Sequence, residues 1–86
     1  RCTTTRRLIV HADIYEGLLA RLTKSYAQVR VGNPLEEGTL VGPLIDEAAF
    51  NSMQSALKSA VQQGGKILYG GERLNIGDGG AYVRPA

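Results

Sequence analysis

An α/β layer arrangement, in the order β-α-loop-α-β-turn-β, is the fold class this sequence predicts. Three observations lead to it. Two stretches, Ile14 to Val29 and Phe50 to Val61, carry apolar residues at helical spacing. Short runs rich in β-branched and aromatic residues flank them: Arg7 to His11 (RLIVH), Lys66 to Tyr69 (KILY) and Ala81 to Val83. Glycine and proline clusters separate the runs. Strands that alternate with helices favour an α/β layer over an all-α or all-β domain.

The first strand is expected at Arg7 to His11, a branched run bounded by polar neighbours. Asp13 with Glu16 then gives a D-x-x-E signature resembling a capping box, so the first helix is expected to start there. Ile14, Tyr15, Leu18, Leu19, Leu22, Tyr26 and Val29 form its apolar stripe. Gly17 costs about 1 kcal/mol inside that helix without overturning it. Gly32-Asn33-Pro34 stops the pattern, and a polar loop runs to Gly42-Pro43. Asp46 and Glu47 open the second helix, where the positive end of the helix dipole favours acids. Phe50, Met53, Leu57, Ala60 and Val61 mark its inner face, and Gly64-Gly65 ends it. KILY is a second strand, glycines 70 to 80 surround a turn, and Ala81-Tyr82-Val83 resumes an extended run. The two strands flanking the helices could lie parallel, and so few strands would leave edges open to partners.

At 86 residues the chain is one small domain at most. Its single cysteine cannot close an intramolecular disulfide, which favours a reducing, cytoplasmic setting. The formal net charge is +2 with both signs interspersed. The one dense basic cluster, Arg1, Arg6 and Arg7, is too small for a nucleic-acid footprint. Leu8-Ile9-Val10 is far too short for a signal peptide, and no apolar run could span a bilayer. No initiator Met opens the chain, and AYVRPA has the look of a strand cut in mid-course, so the expectation is a piece of a larger protein.

The cysteine, Cys2, sits among arginines and threonines rather than apolar residues, a setting that suits a thiolate. As a nucleophile it would need a base or a lowered pKa, and composition identifies no base, so composition alone favours an incidental cysteine over a catalytic one. His11, the lone histidine, fits a strand-helix junction better than a general base. With one histidine and one cysteine a zinc site is not expected, and no metal is called for. Glu36-Glu37 and Asp46-Glu47 are better explained as a loop surface and a helix start than as paired catalytic carboxylates. YGGERLNIGDGGAY contains neither GxGxxG opening a helix nor GK[ST], so turns explain it better than a phosphate cradle.

RCTTTRRLIV, Gly32-Asn33-Pro34, Gly42 to Ile45 (GPLI), QQGGKILYGG and AYVRPA occur in this order. Together they resemble the catalytic domain of the NAD(P)-dependent aldehyde dehydrogenases, along the whole chain. Residues 1–86 would then be a partial catalytic domain that begins at the nucleophile, with the NAD-binding domain outside it. The family's catalytic cysteine lies in G-Q-x-C, with an arginine five residues on. Arg1, Cys2 and Arg7 match that pattern from its third position, and the G-Q pair would lie upstream. The resemblance implies that the Cys2 thiolate attacks the aldehyde carbonyl, giving a thiohemiacetal. Hydride passes to the nicotinamide of NAD or NADP, and water hydrolyses the resulting thioester. The backbone N–H of Cys2 would be one oxyanion donor. Arg7 is assigned no chemical step.

The TTTRRLIVH version, with YAQVRVGNP, looks most like the antiquitin branch, the α-aminoadipic semialdehyde dehydrogenases. There the arginine before the nucleophile binds the amino-acid end of the substrate, which implies that role for Arg1, with Thr3 lining the same pocket. A guanidinium has the planar fork that suits a carboxylate. The family's Gln and Lys beside the cofactor ribose appear here as Ala49 and Ser52, so no cofactor contact is assigned to this chain. The catalytic glutamate and oxyanion asparagine would lie upstream, and E-x-F-G-P downstream. The resemblance also implies a small-molecule aldehyde as partner and a homo-oligomer, with no role for nucleic acid or membrane. The 86 residues alone are expected to be inactive. The competing expectation is a non-enzymatic module that self-associates through exposed strand edges.

Overall fold

The computed structural model describes residues 4–86. Its elements, in chain order, are helix α1 (Ala12–Ala27), helix α2 (Glu47–Gln62) and the strands β1 (Arg73–Leu74) and β2 (Tyr82–Val83). Both expected helices are present, and their ends follow from local chemistry.

The cap of α1 lies two residues before the expected one. His11, in extended backbone, accepts the Asp13 N–H on its Nδ1 at 3.2 Å, and its carbonyl takes the Ile14 N–H at 3.1 Å. Asp13 therefore stands inside the first turn, where its carboxylate still favours the helix dipole. The imidazole wins the cap because the chain is already helical by Asp13. α2 starts as expected: Asp46 Oδ1 accepts the Ala49 N–H at 2.7 Å. It also ends as expected, in a Schellman motif. The Gly65 N–H reaches the Ala60 carbonyl at 2.9 Å and the Gly64 N–H reaches that of Val61 at 3.0 Å, with Gly64 at φ +96°.

The polar loop between the helices is closed on itself. The Arg30 carbonyl accepts both Leu40 and Val41 N–H groups, and the Gly32 N–H bonds the Val41 carbonyl at 3.0 Å. Asn33 Oδ1 takes the Leu35 N–H at 2.9 Å, the side-chain-closed turn that Asn before Pro favours. The Leu44 N–H then bonds the Ala81 carbonyl at 2.9 Å, tying the loop's exit to β2.

The sheet differs from expectation. β1 and β2 pair antiparallel, Arg73 opposite Val83 and Leu74 opposite Tyr82. Arg7 to His11 and Lys66 to Tyr69 lie outside any strand, since a strand forms only where a ladder partner lies alongside. Where β1 begins, the ladder carries a bulge: the Gly71 N–H donates to the Arg84 carbonyl at 2.8 Å, while the Arg84 N–H donates to Glu72. Two residues thus face one, and the first is Gly71 at φ +87°.

Among the described residues, the buried apolar core is Ala81, Tyr82 and Val83. The apolar stripes of α1 and α2 are half-covered at best. Leu18, Leu19, Leu22, Phe50, Met53 and Leu57 are half-buried, while Ala60 and Val61, expected on the inner face of α2, are exposed. Ile9, Leu35 and Ile45 stand almost wholly in solvent.

Candidate functional site

Arg1, Cys2 and Thr3, the residues singled out for nucleophilic attack and substrate binding, lie outside the described residues. The site is therefore approached from the segment that follows them. Thr4 to Leu8 are exposed, Arg6 and Arg7 included, and the first fixed point is the His11 cap. His11 stands at the start of α1 as expected, but residues 7–11 before it form no strand. Because Nδ1 accepts a backbone N–H there, the neutral ring carries its proton on Nε2.

The acidic residues have structural work. Glu36 and Glu37 are exposed in the closed loop, and Asp46 is the cap of α2. Glu47 accepts both terminal nitrogens of Arg73, at 2.5 and 2.9 Å, and the same guanidinium lies 4.9 Å over the Phe50 ring. The fork of hydrogen bonds from Arg73 holds the Glu47 carboxyl below its usual range, and the pair ties β1 to the first turn of α2. The sequence offers no signal for this pairing, because Glu47 and Arg73 are far apart along the chain.

The glycine-rich stretch, expected as turns, also holds the strand β1 (Arg73–Leu74), and the turn lies between β1 and β2. Asp78 Oδ1 accepts the Gly80 N–H at 2.9 Å, and Oδ2 accepts the Tyr82 hydroxyl at 2.6 Å. The hydroxyl's bond lowers the Asp78 carboxyl. In return Tyr82 is pushed up to about 12, by that hydrogen bond first and then by burial and the nearby acids Asp78 and Glu36. At the other end of the hairpin, Arg84 donates to the Tyr69 hydroxyl at 3.1 Å and pairs with Glu72 at 2.5 Å. Tyr69 in turn meets Tyr26 of α1 edge-on, ring centroids 6.4 Å apart.

These arrangements bear on a dinucleotide cofactor. A phosphate needs free N–H groups at a helix start or in an open glycine loop. The starts of α1 and α2 are occupied by His11 and Asp46, and Asp78 closes the Gly79-Gly80 turn. Among the described residues nothing fits a dinucleotide, and no group of three or more His, Cys, Asp or Glu is placed to hold a metal ion. No helix among them is long and apolar enough to cross a membrane. An apolar cleft of about 320 Å³ lies between α1, α2 and the Lys66–Tyr69 segment, lined by Leu22, Tyr26, Leu57, Ile67, Leu68 and Ala86 among others.

A profile described as "Aldehyde dehydrogenase family" matches residues 1–86, the whole chain. The chain belongs to the aldehyde dehydrogenase family. Among curated relatives, a Dictyostelium discoideum homologue of aldehyde dehydrogenase family 7 member A1 is 49% identical over 85 residues, which is 99% of this chain and 16% of that protein. Aldehyde dehydrogenase family 7 member A1 of Pisum sativum is 50% identical over 74 residues, 86% of this chain and 15% of its own length. Alpha-aminoadipic semialdehyde dehydrogenase of Bos taurus is 42% identical over 85 residues, 99% of this chain and 15% of its own length. The chain thus spans about one sixth of the length of the curated relatives it matches.

Proposed function

We propose that this chain is the segment of an aldehyde dehydrogenase catalytic domain that supplies the nucleophile, Cys2. The observation that carries the reading is the family match from residue 1, so that it takes in Arg1, Cys2 and Thr3. In this reading the Cys2 thiolate adds to the carbonyl carbon of an aldehyde. A carbon–sulfur bond forms, the carbonyl π pair moves to oxygen, and the Cys2 N–H stabilises that oxyanion. The product of the overall oxidation is the carboxylate. NAD(P) is the proposed electron acceptor; because the described residues do not fit it, no step at the cofactor is assigned to this chain. The 86 residues by themselves lack the means to complete a turnover and are inactive alone.

The substrate in this proposal is α-aminoadipic semialdehyde or a similar amino-acid-derived aldehyde, supported by the name of the bovine relative. Arg1 reads the amino-acid end of that substrate through its carboxylate, with Thr3 beside it. The proposed setting is a cytoplasmic homo-oligomer.

Arg1→Ala in the full-length enzyme tests the substrate assignment. Losing a charge-assisted carboxylate contact costs about 1.5–3 kcal/mol, which is about 10- to 100-fold in KM for the amino-acid aldehyde. KM for a simple aliphatic aldehyde should stay within about twofold. Equal effects on both substrates would remove Arg1 from the site.

A further inference from the structure

Asp78-Gly79 is the one Asp–Gly step in the chain, and no Asn–Gly step accompanies it. An aspartate before glycine is prone to cyclise, because no side chain shields the next backbone nitrogen and glycine reaches the backbone angles that ring closure needs. The other steps of this kind are blocked. Asn33 precedes Pro34, which has no N–H, and Asn51 lies inside α2, where the next N–H belongs to the helix ladder. Asp13, Asp46 and Asn75 precede Ile14, Glu47 and Ile76, whose side chains crowd the nitrogen. Asp78 and Gly79, by contrast, are exposed in the turn between β1 and β2. Among the described residues nothing accepts the Gly79 N–H. The restraint falls on the carboxylate instead. Its Oδ1 takes the Gly80 N–H at 2.9 Å and its Oδ2 takes the hydroxyl of Tyr82, a residue only 2% exposed and paired with Leu74 across the hairpin. Gly80 makes room for this: a Cβ there would lie 3.0 Å from Asp78 Oδ1 and 2.6 Å from the Tyr82 ring. The Tyr82 bond first, and the Gly80 N–H second, hold the carboxyl below its usual range. Cyclisation runs through the neutral acid, which can expel water, so donors that favour the charged form oppose it.

We propose that Asp78-Gly79 is a site of spontaneous isoaspartate formation, and that the buried Tyr82 hydroxyl is the latch that slows it. In the reaction the Gly79 nitrogen loses its proton and bonds to Asp78 Cγ. The Cγ–OH bond breaks, water leaves, and a cyclic imide remains. Water then adds to one of the two imide carbonyls and opens the ring at that carbon–nitrogen bond. Opening at Cγ restores aspartate, whereas opening at the main-chain carbonyl leaves the chain running through the side chain. The mass is unchanged, and no oxidant or cofactor takes part. The product backbone is one methylene longer and its carboxylate sits on Cα, so Gly80 and Tyr82 lose the acceptor they hold. The turn that closes β1 onto β2 is thereby loosened with age. None of this depends on the chemistry proposed at Cys2.

The test incubates the full-length protein for weeks at neutral pH. Isoaspartate at residue 78 is measured by chromatography of the isobaric peptides and by their resistance to a protease that cuts at aspartate. Wild type should gain it slowly. Tyr82→Phe should gain it about 10-fold faster, the effect of losing one hydrogen bond to a charged acceptor. The same substitution is then made together with Asp78→Asn. The side-chain amide reaches the same imide by expelling ammonia and needs no proton on a carboxylate. Tyr82→Phe should therefore change the rate of that form by less than about twofold. Equal acceleration of both forms would mean that the hairpin has merely loosened or unfolded, and it overturns the latch. Equal rates in wild type and Tyr82→Phe overturn it too. Absence of isoaspartate at residue 78 from the Tyr82→Phe protein, while wild type unfolded in urea gains it, overturns the site itself.

Discussion

Gly70 offers a worked test of how the hairpin is built. It sits at φ +71°, a conformation that costs an L side chain about 1–2 kcal/mol. A Cβ there would also strike the Pro85 carbonyl oxygen and come within 2.6 Å of its carbon, and both are backbone atoms that cannot swing away. Relief requires β2 to part from the Gly71–Glu72 bulge. That forfeits the Gly71-to-Arg84 and Arg84-to-Glu72 hydrogen bonds, about 1 kcal/mol each. Gly70→Ala should therefore cost about 3–4 kcal/mol locally. Gly64→Ala is the matched control: φ is +96°, but a Cβ there meets nothing within 4 Å, so only the conformational cost of about 1–2 kcal/mol applies. The entropy that alanine removes from the unfolded chain is common to both and cancels. Native-state hydrogen exchange of the Gly71 and Arg84 amides in the full-length enzyme measures the difference. Gly70→Ala should speed it about 10²–10³-fold, and Gly64→Ala should leave those two amides within a few-fold of wild type. Equal acceleration by both would refute the clash as the governing effect.

Two further predictions concern caps and protons. Asp46→Ala removes the acceptor of the Ala49 N–H and should destabilise α2 by about 1 kcal/mol, with Asp46→Asn restoring most of it; equal loss in both variants would contradict the cap. Tyr82→Phe should lower the urea midpoint by an amount that depends on pH. Tyr82 is raised to about 12 in the fold, so its contribution is full below the unfolded value of 10.0 and fades as pH rises through 12. The Asp78 carboxyl is lowered below 3.8, so its share is present above that value and fades as pH falls through the lower folded one. The wild-type-minus-variant difference should thus be flat at neutral pH and shrink at both extremes. A difference that is unchanged from pH 7 to pH 12 would show that the bond carries none of it.

What the sequence made legible was local. Asp46-Glu47 and Gly64-Gly65 bounded α2 because a cap and a Schellman turn involve residues within one helical turn of each other. Gly32-Asn33-Pro34 was the expected stop of α1, but the helix already ends at its Gln28 cap, and Asn33 closes a turn in the loop beyond it. His11 was legible as a junction residue but not as the cap, because Asp13 gave a competing cap signature two residues later. Of the three expected extended runs, Ala81-Tyr82-Val83 is borne out as β2, and the other two are not strands. RLIVH and KILY have strand composition, but a strand is a relation between two segments, and no composition names the partner. Phe50 under Arg73, and Tyr82 bonded to Asp78, likewise join residues whose spacing carries no periodic signal. The proposed site was legible by family motif alone, since Arg1, Cys2 and Thr3 precede every element that the structure describes.

The most direct test of the central claim is to trap the acyl intermediate on the full-length enzyme and map it by peptide mass. Turnover of an aldehyde, quenched in acid, should leave the substrate's acyl group as a thioester on the peptide that carries Cys2. Cys2→Ala should lose both the adduct and aldehyde oxidation, the latter by about 10⁴-fold or more. An adduct on another cysteine, or full activity in Cys2→Ala, would contradict the assignment.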